Sequence, residues 1–162
     1  MTLGLKCKVR VLLNYFSREE NEYEKLAEQD KQRLLEYSKN KDLEFQVAKI
    51  ESFEKQLRWA DVMYMRGGST ERLMKELRKV KNIEKLFDEK VIAGSSAGAY
   101  ALSRYYYDNN SKMLGKGLNV LNIKCYCHCK PEDTRIIRKI MAYKEELPLV
   151  LLPNYKMLVI HK

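Results

Sequence analysis

The segment Val91-Ile92-Ala93-Gly94-Ser95-Ser96-Ala97-Gly98 decides the fold, because three apolar residues lead directly into a G-x-S-x-G motif. Such a motif is typical of a nucleophile elbow, in which a strand ends in a sharp turn, a helix begins at once and the central serine exposes its hydroxyl. Glycines two positions before and after Ser96 leave room for that turn. The motif therefore makes Ser96 a candidate nucleophile, although small residues at this junction could also serve close packing or hold a phosphate.

Strand-like and helix-like patterns alternate along the rest of the chain. This order predicts one α/β domain over residues 1–162, with a largely parallel sheet and helices on both faces. The helix after Ser17 is expected to carry Leu26, Leu34 and Tyr37 on one apolar face. The predicted strands are Lys8–Asn14, Leu43–Lys49, Asp61–Arg66, Val91–Ala93, Asn119–Leu121, Ile123–Cys129, Leu149–Leu152 and Met157–Ile160; helices are predicted from a capping box at Ser17, from Ser69, over Ile83–Phe87 and Ala97–Leu102, and from Pro131.

The composition is that of a globular domain, with 162 residues, 45% hydrophobic and 33% charged. No apolar run approaches the roughly 20 residues of a membrane span, and Met1–Cys7 carries no secretory pattern. Four cysteines in a chain this long do not resemble a disulfide framework, so a cytoplasmic location is expected. The net charge of +9 is scattered without a nucleic-acid motif, which favours a solvated surface over a nucleic-acid or membrane partner.

A serine hydroxyl needs a base before it becomes a good nucleophile, and the chain has two histidines. His128 lies at the end of a predicted strand beside a turn at Lys130-Pro131, whereas His161 is the penultimate residue, where chain ends fray. His128 is therefore the better candidate base. If Ser96 were absent, His128 would be interpreted as an ordinary packed or surface histidine of a strand.

Four segments together resemble the peptidase E family of aspartyl dipeptidases, whose relatives include cyanophycinase. The resemblance covers about Lys8–Ile160, and its most specific part is the serine elbow combined with the preceding glycine-rich turn. Its segments are Ala60–Thr70 with the Gly67-Gly68-Ser69-Thr70 turn, Ile92–Ala99 with the elbow, Gly117–Leu121 followed by His128, and the strand pair Leu149–Leu152 and Met157–Ile160.

The resemblance implies a class I glutamine amidotransferase-like α/β fold. This is a three-layer sandwich around a largely parallel, flavodoxin-like sheet, with serine in place of that superfamily's more usual cysteine. It further implies that Ser96 is the nucleophile and His128 the general base, and that Gly68 and Ala97 donate backbone N–H groups to the oxyanion. No metal and no cofactor is required by such chemistry.

The family places an acidic residue between serine and histidine, and Asp108 is the one acid in that interval. The resemblance therefore implies that Asp108 orients the imidazole of His128, although Asp108-Asn109-Asn110 also reads as a polar turn. Glu132 and Asp133 are the alternatives, because triads are recognised by geometry rather than by order.

Substrate preference is indicated by Thr134-Arg135, which resembles a threonine–arginine pair downstream of the family histidine. The resemblance implies that Arg135 binds the carboxylate of a substrate aspartate through its two-pronged guanidinium. Arg135 could equally be an exposed helix residue, with Arg138 or Lys139 in its place.

This chain is shorter than the family pattern at both ends, since it lacks an N-terminal strand and helix and the segment after Ile160. A missing strand leaves an open sheet edge, which would allow a homodimer. Cys125, Cys127 and Cys129 alternate along one strand face, a spacing that suits a zinc site poorly and buried thiols better.

The sequence thus predicts a serine hydrolase that cleaves short peptides, including those with an N-terminal aspartate, through a Ser-His-acid triad and an acyl-enzyme. Two alternatives stay open. One is a catalytically inactive relative that binds a partner, and the other is a hydrolase of a different amide or ester.

Overall fold

The computed structural model describes residues 8–39 and 42–161, so Met1–Cys7, on which the expectation about a secretory signal rests, lies outside the described residues. The described strands form two four-stranded sheets. The first sheet is entirely parallel, and its order β2-β1-β3-β4 matches the beginning of the flavodoxin-like order. Its strands are β1 (Val9–Asn14), β2 (Leu43–Val47), β3 (Val62–Met65) and β4 (Val91–Gly94).

The second sheet has the order β6-β5-β7-β8 and is mixed. The β5–β6 pair is antiparallel, while β7 lies parallel to both β5 and β8. Its strands are β5 (Ser103–Asp108), β6 (Met113–Lys116), β7 (Leu121–Cys127) and β8 (Leu149–Leu152).

Helices connect the parallel strands of the first sheet and also β7 with β8, whereas the parallel strands β5 and β7 are connected through β6. The longest is α1, which follows β1, and α5 joins the two sheets because it begins just after β4 and ends directly before β5. The helices are α1 (Tyr23–Tyr37), α2 (Phe53–Trp59), α3 (Thr70–Leu77), α4 (Ile83–Leu86), α5 (Ala97–Leu102) and α6 (Thr134–Met141), with single 3-10 turns at Glu20–Glu22 and Ile50–Ser52.

The first sheet is buried on both faces, which explains why β1 is almost continuously apolar. Leu12 faces one side with α2, α3 and α5, where Leu57 and Leu73 are fully buried. Leu13 faces the other side, where Leu26 of α1 packs against it. Helix, sheet and helix thus form three layers, and the predicted α/β class with a largely parallel sheet is confirmed.

The predicted capping box at Ser17 is wrong in its position. Glu19 and Glu22 form the capping box instead, and α1 begins at Tyr23. The Ser17 hydroxyl donates a hydrogen bond to the carbonyl oxygen of Arg66 at 2.7 Å. The Ser17 side chain thus makes a tertiary contact, whereas the local pattern predicted that it caps the helix.

The predicted final strand Met157–Ile160 is also wrong, because the structure assigns no strand there and leaves all its side chains exposed. An apolar, β-prone segment becomes a strand only when a neighbour completes its hydrogen bonds. The apolar face predicted for the first helix is likewise buried only in part, since Leu34 is 36% and Tyr37 80% exposed. Strands β5 and β6 and helix α2 were not predicted.

Candidate active site

The carboxyl ends of parallel strands from both sheets meet at one site. Ser96 follows β4, Asp108 ends β5, His128 follows β7, and the Gly67-Gly68 turn follows β3. Loops beyond the carboxyl ends of parallel strands are the usual ligand-binding position in α/β folds. The topology alone therefore brings the residues predicted from scattered segments to the same edge.

The elbow geometry holds Ser96 in the left-handed region, with φ 50° and ψ −103°. Its two glycines are required because a side chain at either position would collide with neighbouring backbone atoms. A Cβ atom on Gly94 would lie 2.4 Å from the carbonyl carbon of Gly98, and one on Gly98 would lie 2.6 Å from the carbonyl oxygen of Met65. Helix α5 thus approaches β3 and β4 closely enough to exclude any side chain at these positions.

Ser96 and His128 form a hydrogen-bonded pair, with 3.0 Å between the serine Oγ and the imidazole Nε2. His128 is also in the left-handed region, at φ 58°. Its backbone N–H donates to the carbonyl oxygen of Leu152 at 2.8 Å, which ties the end of β7 to the end of β8. This bond fixes the backbone from which the imidazole reaches Ser96.

The second imidazole nitrogen of His128, Nδ1, lies 2.6 Å from the Oδ1 atom of Asn154. An amide oxygen accepts but does not donate, so this contact requires the proton on Nδ1 and leaves Nε2 free to accept from Ser96. Asn154 was not predicted. The feature of the sequence that could have identified Asn154 is its position one residue after Pro153, just beyond the carboxyl end of a strand parallel to β7.

Asp108 lies in the same pocket as Ser96 and His128, but its side chain accepts a hydrogen bond from its own turn. Its Oδ1 accepts from the backbone N–H of Asn110 at 2.8 Å, which is the polar turn that the sequence also allowed. Of the alternatives, Asp133 accepts from the Tyr126 hydroxyl at 2.7 Å, and Glu132 is exposed and does not line the pocket. The partner of the imidazole Nδ1 is therefore an amide and not one of these acids.

The pocket has a volume of about 510 Å³ and a basic wall. Arg66 is paired with the buried carboxylate of Asp30 at 2.7 Å, and Arg18 donates from Nε to the carbonyl oxygen of Gly67 at 2.6 Å. Arg33 forms no ion pair with another described residue. The pocket is lined by Arg18, Arg33, Tyr64, Arg66, Gly67, Gly68, Ser95, Ser96, Tyr100, Asp108, Asn109, Asn110 and His128.

Arg135, the predicted carboxylate ligand, does not line this pocket. It is exposed on α6, the helix that follows the His128 turn. Tyr64, by contrast, does line the pocket, and burial raises the pKa of its hydroxyl above the usual range, so that it stays neutral. The basic residues beside Ser96 thus come from segments before the elbow.

Gly68 and Ala97 both belong to the immediate surroundings of Ser96. Neither backbone N–H group has a recorded hydrogen-bond acceptor within residues 8–39 and 42–161. Ala97 is the first residue of α5, where N–H groups lack acceptors within the helix. Both amides are therefore available to a ligand.

Two of the three alternating cysteines, Cys125 and Cys127, are buried in β7, with 3.8 Å between their sulfur atoms. The contact with Cys127, together with burial, raises the pKa of the Cys125 thiol.

Among the described residues, no group of three or more histidine, cysteine or acidic side chains is arranged to hold a metal ion. No helix in the described part of the chain has the length and apolar character to cross a membrane.

Comparison with known proteins identifies the family. The model of peptidase family S51 matches residues 16–162. A peptidase from an acI-B1 Actinobacterium superimposes with a TM-score of 0.65 at 18% identity, covering 89% of this chain and 66% of that one. A candidate peptidase E protein from Listeria monocytogenes EGD-e gives 0.61 at 21% identity, covering 91% and 79%.

The chain thus spans about two thirds of the actinobacterial peptidase and a larger share of the Listeria protein. At these identities the two structures support the fold, while the family model supports the relationship. No curated protein matches the chain. The resemblance inferred from the elbow and the glycine-rich turn is confirmed: the chain belongs to peptidase family S51, a family of serine-type peptidases.

Proposed function

We propose that this protein is a serine peptidase that hydrolyses short peptides carrying an acidic residue at the cleaved bond. The observation that carries the proposal is the 3.0 Å contact between Ser96 Oγ and His128 Nε2, made from an elbow that exposes the serine. A nucleophile and a base within hydrogen-bonding reach are the minimal requirement for acyl transfer by serine.

In the proposed reaction, Ser96 Oγ attacks the scissile carbonyl carbon while Nε2 of His128 takes the hydroxyl proton. The imidazolium then gives that proton to the departing amine, the C–N bond breaks, and an ester between Ser96 and the acyl group remains. A water molecule then attacks this ester while the imidazole takes its proton, and the imidazolium returns a proton to the departing Ser96 Oγ as the acid product is released.

Asn154 takes the place that an acid usually has in this mechanism. Its amide oxygen holds the proton on Nδ1 of His128, and this is the tautomer in which Nε2 can act as a base. A neutral amide supplies orientation but little charge stabilisation of the imidazolium. A role of Asp108 as the orienting acid stays a prediction, which a comparison of Asp108→Asn with Asn154→Ala tests.

The oxyanion that forms during attack is proposed to accept hydrogen bonds from the Gly68 and Ala97 N–H groups. Gly68 lines the pocket together with Ser96, Ala97 follows Ser96 in the chain, and neither N–H donates to an acceptor in the described part of the chain. One such donor contributes about 2.7–4 kcal/mol to transition-state stabilisation, so these amides matter as much as the base.

The preference for an acidic residue follows from the charge of the pocket. Arg66 is balanced by Asp30 and Arg18 is engaged by a carbonyl, which leaves Arg33 as the cation best placed to receive a substrate carboxylate. We therefore assign acid recognition to Arg33. Arg135, outside the pocket, is the competing assignment.

A fluorophosphonate probe tests the proposal, because it modifies a serine only when a base activates the hydroxyl. The expected result is a single adduct mapped to Ser96, absent from the Ser96→Ala and His128→Ala variants, together with release of p-nitroaniline from aspartyl p-nitroanilide. Folded protein that gives neither adduct nor hydrolysis would support the inactive binding relative instead. An adduct combined with hydrolysis of simple esters but not of peptide analogues would indicate a different acyl substrate.

A further inference from the structure

The Gly67-Gly68 turn contains a peptide unit with an unusual degree of freedom. A peptide unit between two glycines has no side chain on either side to limit its rotation. A side chain on Gly68 is excluded, because its Cβ atom would lie 2.4 Å from the carbonyl oxygen of Ser17, and one on Gly67 would crowd Ser96, with 3.0 Å between the two Cβ atoms. The orientation of this peptide unit must therefore be set by hydrogen bonds.

Residues 17 and 18, which follow β1, supply those hydrogen bonds. The Ser17 hydroxyl donates to the carbonyl oxygen of Arg66 at 2.7 Å, and the Ser69 N–H donates to the carbonyl oxygen of Ser17 at 2.8 Å. Between these two anchors, Nε of Arg18 donates to the carbonyl oxygen of Gly67 at 2.6 Å. Among the described residues, Arg18 thus donates the one hydrogen bond made to the Gly67-Gly68 peptide unit itself.

That contact also fixes the direction of the Gly68 N–H group. The described chain has no cis peptide bonds, and in a trans peptide the carbonyl and the N–H of the same unit point in opposite directions. A hydrogen bond from Arg18 to the Gly67 carbonyl therefore turns the Gly68 N–H away from Arg18. Rotation of the unit would exchange the two groups and present a carbonyl oxygen in place of a donor.

We propose that Arg18 is a positioning residue for the oxyanion hole, which holds the Gly67-Gly68 peptide so that the Gly68 N–H stays available to the reacting carbonyl. This inference rests on the proposed function, since it assumes that Gly68 is an oxyanion donor. Arg18 does not bind the substrate in this account. Its guanidinium is already engaged by Gly67 through Nε, and its Nη1 lies 3.9 Å from the Glu22 carboxylate.

The test compares Arg18→Met, whose unbranched side chain reaches about as far as Nε but lacks the donor, with Arg18→Lys, which restores an N–H donor at nearly the same reach. With aspartyl p-nitroanilide, Arg18→Met is expected to lower kcat by about 10- to 100-fold with KM within about twofold, because losing an oxyanion donor outright costs about 10²–10³ in kcat. Arg18→Lys is expected to recover most of the loss. Arg33→Met removes an equal charge from the same pocket and is expected to change KM instead.

A second readout does not depend on activity. The backbone order parameter of the Gly68 amide, measured by ¹⁵N relaxation, is expected near the rigid value of about 0.85 in the wild type and in Arg33→Met, and below about 0.6 in Arg18→Met. If wild-type protein were inactive, the proposed function would fail, while this measurement would still decide whether Arg18 fixes the peptide unit. An Arg18→Met variant with an ordered Gly68 amide, or with raised KM and unchanged kcat, would overturn the inference.

Discussion

Replacing Asn154 by alanine removes the hydrogen bond to Nδ1 of His128 and is expected to slow catalysis without preventing it. The bond is short, at 2.6 Å, and it acts on an imidazole that becomes positively charged in the transition state. Hydrogen bonds to charged groups contribute about 1.5–3 kcal/mol, which corresponds to about 10- to 150-fold in rate. Because both side chains are exposed, solvent competes, and the loss in kcat should lie near the lower limit.

Asn154→Asp should act in the opposite direction. A carboxylate at the same distance keeps the proton on Nδ1 and also stabilises the imidazolium. We expect kcat to rise at every pH tested, because the imidazolium formed in the transition state gains a charged partner. Both variants are measured with aspartyl p-nitroanilide from pH 5 to 9, after thermal unfolding has shown that they are folded.

Asp108→Asn and Asn122→Ala complete the comparison. Asn122 is an exposed residue of β7 whose amide oxygen accepts from Arg104 at 3.1 Å, away from the pocket, so its variant should match the wild type. Wild-type kcat in Asn154→Ala, combined with a loss of more than about 100-fold in Asp108→Asn, would refute the role of Asn154. It would show that Asp108 moves to the imidazole when substrate is bound.

Three further outcomes follow from the same contacts. Gly98→Ala should lower the free energy of unfolding by about 1–3 kcal/mol in urea denaturation, because its Cβ would lie 2.6 Å from the Met65 carbonyl oxygen; unchanged stability would mean that α5 can move away from β3. Arg33→Met should raise KM about 10-fold for aspartyl p-nitroanilide but not for the neutral asparaginyl analogue, whereas the same selective loss in Arg135→Met would support the resemblance-based assignment. Hydrogen bonds from the Tyr126 hydroxyl and then from the Lys130 N–H lower the pKa of Asp133 below its ordinary value of 3.8. The stabilising contribution of Asp133 is therefore present above that value and lost as the pH falls through the lowered pKa. Asp133→Asn should weaken the fall in the free energy of unfolding at acidic pH, and an unaltered fall would contradict this.

The parts of the fold that could be predicted from the sequence are those that local chemistry dictates. The elbow at Ser96 follows from two glycines that no other residue can replace, and the N-cap at Ser69 follows from its hydroxyl, which accepts from the Arg72 N–H at 3.3 Å. The contact of Ser96 with His128 was expected from the requirement of serine chemistry for a base. Each of these three predictions requires only a local motif or one elementary chemical requirement.

Asn154 could not be found in this way, because its position depends on the parallel pairing of β7 with β8 and on a turn that carries no motif. The same limit applies to the wrong predictions. The side chain of Ser17 was assigned to the nearest helix but is taken by the carbonyl of Arg66, and Met157–Ile160 has strand propensity without a neighbouring strand in the described structure. The conformations and contacts of these residues depend on partners that are distant in sequence, and a local sequence pattern carries no information about such partners.

Ser96 and His128 occupy left-handed backbone conformations, at φ 50° and φ 58°, which non-glycine residues adopt at a cost of order 1–3 kcal/mol. Glycine at either position would relieve that conformational strain and abolish the chemistry in one step. Selection for turnover and selection for thermostability therefore oppose each other at these two sites. If turnover were no longer selected, glycine at either position would be favoured by selection for stability alone, and the resulting protein would be more stable but inactive.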